Sequence, residues 1–211
     1  MEINTCDKYN FDELILEKPV KIDDIYLSNI HNGSCNTAIT IQTPKLSINK
    51  ITKKLTLILN EKMENLLTEF DNKIISLISV NSEEFFEEKL NIEEAEEIYK
   101  HSFKQTRKES KISVSLNKNL TIYNKHRENL KIETLVLDDT VICLLKCKKI
   151  VFYKNYSEPL WEVVQIKLKE QVIDTKTYLF LDDQNDNYVN NYSDNDTDND
   201  LKDIKKIKIK S

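Results

Sequence analysis

Apolar residues in this chain recur at every second position, then at every third or fourth, then at every second again, and this change of period limits the folds open to it. Strand-like stretches cover 18 to 30 (KPVKIDDIYLSNI), 36 to 46 (NTAITIQTPKL) and 53 to 60 (KKLTLILN). In them Thr37, Ile39 and Ile41 alternate with Ala38, Thr40 and Gln42, and Leu55, Leu57 and Leu59 with Thr56 and Ile58, as half-buried antiparallel strands do. Asn32-Gly33 contains the single glycine of the sequence and predicts a hairpin between the first two stretches. Met63, Leu66, Leu67, Phe70, Ile74, Leu77 and Ile78 then mark an amphipathic helix over 61 to 79. Asn91 and Glu94 have the spacing of a capping box and open a second helix that runs to about residue 108. From Lys111 the strand period returns in KISVSL, NLTIYN, LKIETLVL, TVICLLKC, KIVFYK, LWEVVQIKL and KTYLFL. Turn residues separate these pieces every eight to twelve positions or so, which predicts a barrel or an antiparallel sandwich. The expected fold is mainly β (α+β), one domain over residues 1–180 with a two-helix insertion at about 61–108.

Beyond Phe180 the apolar pattern ends, and residues 181–211 are expected to form a disordered tail, acidic and then basic. Asp182 to Asp200 holds seven aspartates and no base, whereas Leu201 to Ser211 holds five lysines against one aspartate. The net charge of minus five therefore conceals a body close to neutral. Once Glu83 to Glu97, with eight glutamates and one lysine, is set aside, the rest of the body is basic. A basic body with an acidic tail suits a nucleic-acid binder whose tail occupies the phosphate site when no strand is bound. DNDTDND (194 to 200) lacks the glycine and the glutamate of a calcium loop, Asn199 and Lys205 standing at those positions.

One glycine rules out phosphate loops, dinucleotide fingerprints and nucleophile elbows, each of which needs several. His31, His101 and His126 lie in unrelated contexts, so no triad or zinc-protease motif is present, and neither enzyme activity nor a cofactor nor a metal is expected. Cys6, Cys35, Cys143 and Cys147 are too scattered for a disulfide framework, and the first residues are polar and acidic, so an intracellular protein with structural thiols is expected. No apolar run is long enough to cross a membrane as a helix.

Aromatic and basic residues interleave in KCKKIVFYKNYSEPLW. Phe152, Tyr153, Tyr156 and Trp161 are candidate stacking residues, with Lys148, Lys149 and Lys154 as phosphate contacts beside them. Lys53 and Lys54 add a second basic cluster, and Arg107 and Arg127, the only arginines, add a third. IQTPKL (41 to 46), NSEEFF (81 to 86) and PLWEVVQIKL followed by YLFLDD resemble a family of proteins from large nucleocytoplasmic DNA viruses. That family is similar to the bacteriophage-type single-stranded DNA-binding proteins, and the resemblance spans residues 20 to 185. It implies an OB-like barrel with a helical insertion and an acidic tail. It also implies sequence-independent binding of single-stranded DNA in viral replication or repair, with the tail competing with DNA and contacting replication proteins. A homodimer is a further expectation, as is a place in the host cytoplasm or nucleus. The competing expectation is a structural or accessory virion protein, which accounts for the same strands without nucleic acid.

Overall fold

The computed structural model describes residues 4–5, 9–33 and 37–169. The end of the expected domain at 180, the KTYLFL strand, Cys6, Cys35 and the acidic and basic tail all lie outside them. In chain order the elements are β1 (Asn4–Thr5), β2 (Leu14–Leu16), β3 (Val20–Ile22), β4 (Ile25–Asn32), β5 (Ile39–Gln42), β6 (Leu46–Ile51) and β7 (Lys54–Ile58). Helices α1 (Glu61–Phe86) and α2 (Ile92–Glu97) follow. The chain continues through β8 (Phe103–Gln105), β9 (Ser110–Tyr123), β10 (Asn129–Leu130), β11 (Thr140–Phe152) and β12 (Ser157–Leu168).

Five strands close a barrel in the order β6-β7-β9-β12-β11, with β11 returning to β6 through Thr140↔Ser47 and Val141↔Leu46. All these pairings are antiparallel except β9 with β12, which is parallel from Ser115↔Glu162 to Tyr123↔Lys167. This is the strand order of an OB barrel, 1-2-3-5-4 closing on 1. Five of the seven short pieces read in the second half merge into three long strands, β9, β11 and β12, because register shifts bend them instead of ending them. Those shifts fall at Leu144/Leu145 and Cys147/Ile150 on β11 and at Val163/Gln165 on β12. LKIETLVL is no strand: it forms a 3-10 turn at Ile132–Thr134, and the Asp139 carboxylate accepts the Val136 N–H at 2.9 Å.

The interior follows from the alternation. Ile41, Leu55, Leu57, Val114, Leu145 and Val163 have no exposed surface, and α1 adds Met63, Leu67, Phe70, Ile74 and Ile78 to the same core. Each such side chain contributes roughly 1.5–3 kcal/mol on burial. Asn60 caps α1 by accepting the Met63 N–H at 3.1 Å. The helix outruns its predicted end at 79 and continues to Phe86, where the Phe86 ring sits edge-on to Phe152 with centroids 5.5 Å apart. The second helix has the expected capping box but stops at Glu97, well short of 108. Ser157 N–H donates to the Ile98 carbonyl at 2.6 Å and Lys100 N–H to the Ser157 carbonyl at 2.8 Å, which draws the chain out of the helix and into β8. The Asn-Gly reversal occurs, with Gly33 at φ 45° and a bridge from Asn32 to Thr37. It makes no hairpin ladder, because β4 and β5 each pair with β11.

Asp71 is the one fully buried acid on α1. Its carboxylate accepts from Tyr99 Oη (2.8 Å), Ser102 N (2.8 Å) and Ser102 Oγ (2.6 Å), with His101 Nδ1 3.4 Å away. Burial nevertheless holds its pKa above the usual carboxylate range, the hydrogen bonds and His101 offsetting only part of that effect. Ionisation is thus easier in the unfolded chain, and the stability tied to the neutral acid is lost as pH rises from about 4 through the folded value. Substituting Asp71→Asn removes this loss. The excess stability of the wild type over D71N, from urea unfolding at a series of pH values, should shrink between pH 4 and 7; a flat or growing excess contradicts this account.

Candidate nucleic-acid interface

Strand β11 presents Ile142, Leu144, Lys146 and Lys148 outward, while Val141, Cys143, Leu145 and Cys147 between them are buried in the barrel. One half of this outward run is apolar and the other half basic. Cross-strand partners extend it into three rows. Ile142 stands beside Lys167 of β12 and then Tyr123 of β9. Leu144 stands between Gln42 of β5 and Gln165 of β12, with Thr121 beyond. Lys146 stands between Thr40 and Glu162, and the row continues through Ser115 to Lys54 of β7.

Two grooves lie on this face, each of about 490 Å³. The first is lined by Gln42, Tyr123, Arg127, Leu144, Gln165 and Lys167 among others. It offers an aromatic ring and an aliphatic floor for a base, two amides for base edges, and two cations for phosphates. Arg127 reaches it from a tight turn in which Asn124 Oδ1 accepts the His126 and Glu128 N–H groups at 2.9 and 3.0 Å. Arg127 itself takes a left-handed φ of 68° there. The second groove collects Lys146, Lys148 and Lys149 against His31, Asn29 and Glu17. Lys146 is held below the usual lysine range, first by burial and then by the ammonium of Lys148, with Glu162 acting in the opposite sense.

The remaining candidates occupy the hairpins of the barrel. Lys53 and Lys54 are exposed at the β6–β7 turn, and Arg107 is exposed in the turn between β8 and β9. Tyr153, Lys154 and Tyr156 form the β11–β12 turn, closed by Tyr153 N–H donating to the Tyr156 carbonyl at 2.8 Å. The two tyrosines stack on each other at 4.6 Å, and Lys100 Nζ lies 3.1 Å from the Tyr156 ring centroid, so Tyr156 is held between a ring and a cation. Burial and the charge of Glu158 raise the Tyr153 phenol.

Phe152 and Trp161 do not stand on the surface as stacking residues. Both are 5% exposed and belong to the core. Trp161 pairs with inward Cys147 across the sheet, lies edge-on to Phe70 at 5.0 Å and donates its Nε1–H to Ser102 Oγ at 2.9 Å. Phe152 follows the Cys147/Ile150 register shift, which breaks strict alternation, so that Ile150, Val151 and Phe152 are all buried. Cys143 and Cys147 are buried free thiols, and burial pushes the Cys143 thiol up to about 12. Among the described residues no group of His, Cys, Asp and Glu is placed to hold a metal ion, and no helix is long and apolar enough to cross a membrane.

Residues 44–182 match DUF5871, a family of unknown function. The chain belongs to this family. No curated protein matches its sequence. Among solved structures it is similar to the single-stranded DNA-binding protein of bacteriophage Enc34 in complex with ssDNA, at 10% identity and a TM-score of 0.44, covering 74% of this chain and 96% of the other. It is also similar to gp2.5, a single-stranded DNA-binding protein encoded by bacteriophage T7, at 8% identity and a TM-score of 0.47, covering 68% and 98%.

The DUF5871 match contains β6 to β12, hence the whole closed barrel, whereas β1 to β5 precede it. The first groove is therefore built almost wholly by the family's own segment, with Gln42 just outside it, and the second is shared with the N-terminal strands. Sequence reading found Arg127 but missed Tyr123, Leu144, Gln165 and Lys167, which gather only through the parallel β9–β12 pairing. Their one signal was the alternation that put Tyr123 and Lys167 on the polar side of their strands. Trp161→Ala in this DUF5871 barrel should lower the unfolding free energy by about 3–5 kcal/mol, and Phe152→Ala by a similar amount. Tyr123→Ala on the open face should cost on the order of 1 kcal/mol. Urea unfolding followed by circular dichroism measures all three, and equal losses would return Trp161 and Phe152 to the surface set.

Proposed function

We propose that the outward face of β9, β12, β11 and β5 binds single-stranded DNA without sequence preference and without catalysis. The observation that carries this reading is the joined pattern on one strand face: a Tyr123, Ile142 and Leu144 surface for bases running directly into Lys146 and Lys148 for phosphates, with Arg127 and Lys167 at its edge. Base stacking and counterion release are the two contributions that such binding needs. OB barrels commonly use the face of strands 2 and 3, here β7 and β9, with the loops between strands 1 and 2 and strands 4 and 5. The proposed face shares β9 with that surface and lies otherwise on β12, β11 and β5, while the corresponding loops are the β6–β7 turn, with Lys53 and Lys54, and the β11–β12 turn, with Tyr153, Lys154 and Tyr156.

In the same reading the acidic tail competes with DNA, and the protein serves viral DNA replication or repair, with replication proteins meeting the tail. Titration of labelled oligothymidine by fluorescence anisotropy over a range of salt tests the reading. Tyr123→Ala should weaken binding about ten-fold or more, and Arg127→Ala and Lys167→Ala should each reduce the log-log salt slope by about 0.7. A chain ending at Phe180 should bind more tightly than the full chain. Unchanged affinity in Y123A and in R127A/K167A, with native circular dichroism, rejects the face.

A further inference from the structure

The second groove has a composition that base binding does not require. Lys146, Lys148 and Lys149 enter it from β11, and β4 forms the facing wall, with Asn29 directly paired to Lys149. The acid within the groove is already engaged. Glu17 receives Asn29 Nδ2 on Oε2 at 2.7 Å and faces His31 Nε2 with Oε1 at 3.3 Å. The other carboxylate beside Lys146, Glu162 on β12, accepts Asn117 Nδ2 at 2.9 Å. Three ammonium groups thus share a concave space with one carboxylate that is held by other partners. Like charges crowded in this way raise the free energy of the empty groove and are relieved by an anion. The His31 side chain, 14% exposed, lines the same groove with its Nε2 turned to Glu17.

We propose that this groove is a phosphate-binding subsite, in which Lys146, Lys148 and Lys149 surround one phosphate group beside His31. Its far wall comes from strands that precede the family segment, so it extends the DUF5871 barrel with an anion site that the barrel alone does not complete. The subsite rests on the preceding reading only for its source of phosphate, which is either an internal phosphodiester or a terminal phosphomonoester of the bound strand. A terminal phosphate carries about −1.5 to −2 at neutral pH and makes the greater demand on three ammonium groups.

The test uses the full chain labelled with ¹⁵N, its histidine ring nitrogens observed during titration with inorganic phosphate against chloride of equal ionic strength. The His31 ring signals should shift saturably as phosphate enters the groove they line, those of His101 and His126 should serve as unmoved controls, and K148Q/K149Q should abolish the shift. Failure of His31 to shift, or an equal shift in K148Q/K149Q, overturns the subsite. Anisotropy with 5′-hydroxyl and 5′-phosphorylated oligothymidine of one length separates the sources. A preference for the phosphorylated strand that K148Q/K149Q removes assigns a strand end. Equal affinities, with the salt slope of the double variant lower by about 1.4, assign internal phosphates. No effect of the double variant on either oligonucleotide removes the subsite from the strand's path. If phosphate moves His31 while no oligonucleotide binds, the sheet-face reading falls and the anion site stands; the reverse pair of results does the opposite.

Discussion

Both edges of β11 are paired, and the barrel, the open face and the N-terminal strands all depend on that. One edge runs with β12 for nearly the whole strand, while the other is taken in turn by β6, β5 and β4. A straight thirteen-residue strand cannot satisfy three partners in succession on one edge and still close a barrel. The register shifts at Leu144/Leu145 and Cys147/Ile150 supply the bend, the first within the stretch paired to β5 and the second where β11 passes from β5 to β4. The same strand carries the inward thiols of Cys143 and Cys147 and the outward Ile142, Leu144, Lys146 and Lys148. A slip of one residue would exchange these two sets, placing lysines among Val163 and Phe70 and thiols in solvent. The cost of burying those charges fixes the register, so the position of the binding face and the integrity of the core have one cause.

The helical insertion is tied to this barrel by a polar contact in an apolar setting. Trp161 of β12 donates to Ser102, Ser102 to Asp71 of α1, and Tyr99 to the same carboxylate. A buried acid with several donors is costly when any one of them is lost, which makes the joint between helix and barrel specific as well as apolar. The joint also accounts for the early end of α2, since Tyr99 and Ser102 reach Asp71 only if the chain leaves helical geometry after Glu97. The sequence there is capped as a helix and holds good helix formers, and tertiary demand overrides both.

The class of the fold was legible because it rests on period. The alternation of Leu55, Leu57 and Leu59 and the three-four spacing of Met63 to Ile78 are local signals that the structure keeps. Lost to local reading were the features set by partners far along the chain: the merging of short pieces into β9, β11 and β12, and the extension of α1 to meet Phe152. The site shows the same division. Lys148 and Arg127 could be marked as basic and exposed from their surroundings, but Tyr123 and Lys167 become neighbours only through a parallel pairing of strands more than forty positions apart. Trp161 and Phe152 misled for the opposite reason. An aromatic in a lysine-rich stretch reads as a stacking platform until the register turns it inward, Trp161 by pairing with inward Cys147 and Phe152 by following the Cys147/Ile150 shift.

If the face binds a strand as proposed, charge placement decides which end of it the strand uses. The eight glutamates of Glu83 to Glu97 lie at the end of α1 and along α2, all exposed. Phe86 packs on Phe152 and Tyr99 bridges to Ser157, so this acidic surface is anchored beside the β11–β12 turn. A polyanion approaching Tyr153 and Tyr156 meets those carboxylates at short range, where screening is weakest. Tyr156 is moreover already taken by Lys100 and Tyr153. At the opposite end of β11 the groove holds Tyr123, Arg127 and Lys167, and among the described residues no carboxylate lines it. In the proposed reading the field therefore favours entry at Ile142 and Leu144 and travel toward Lys148, with the acidic helices as the boundary at which the strand turns away.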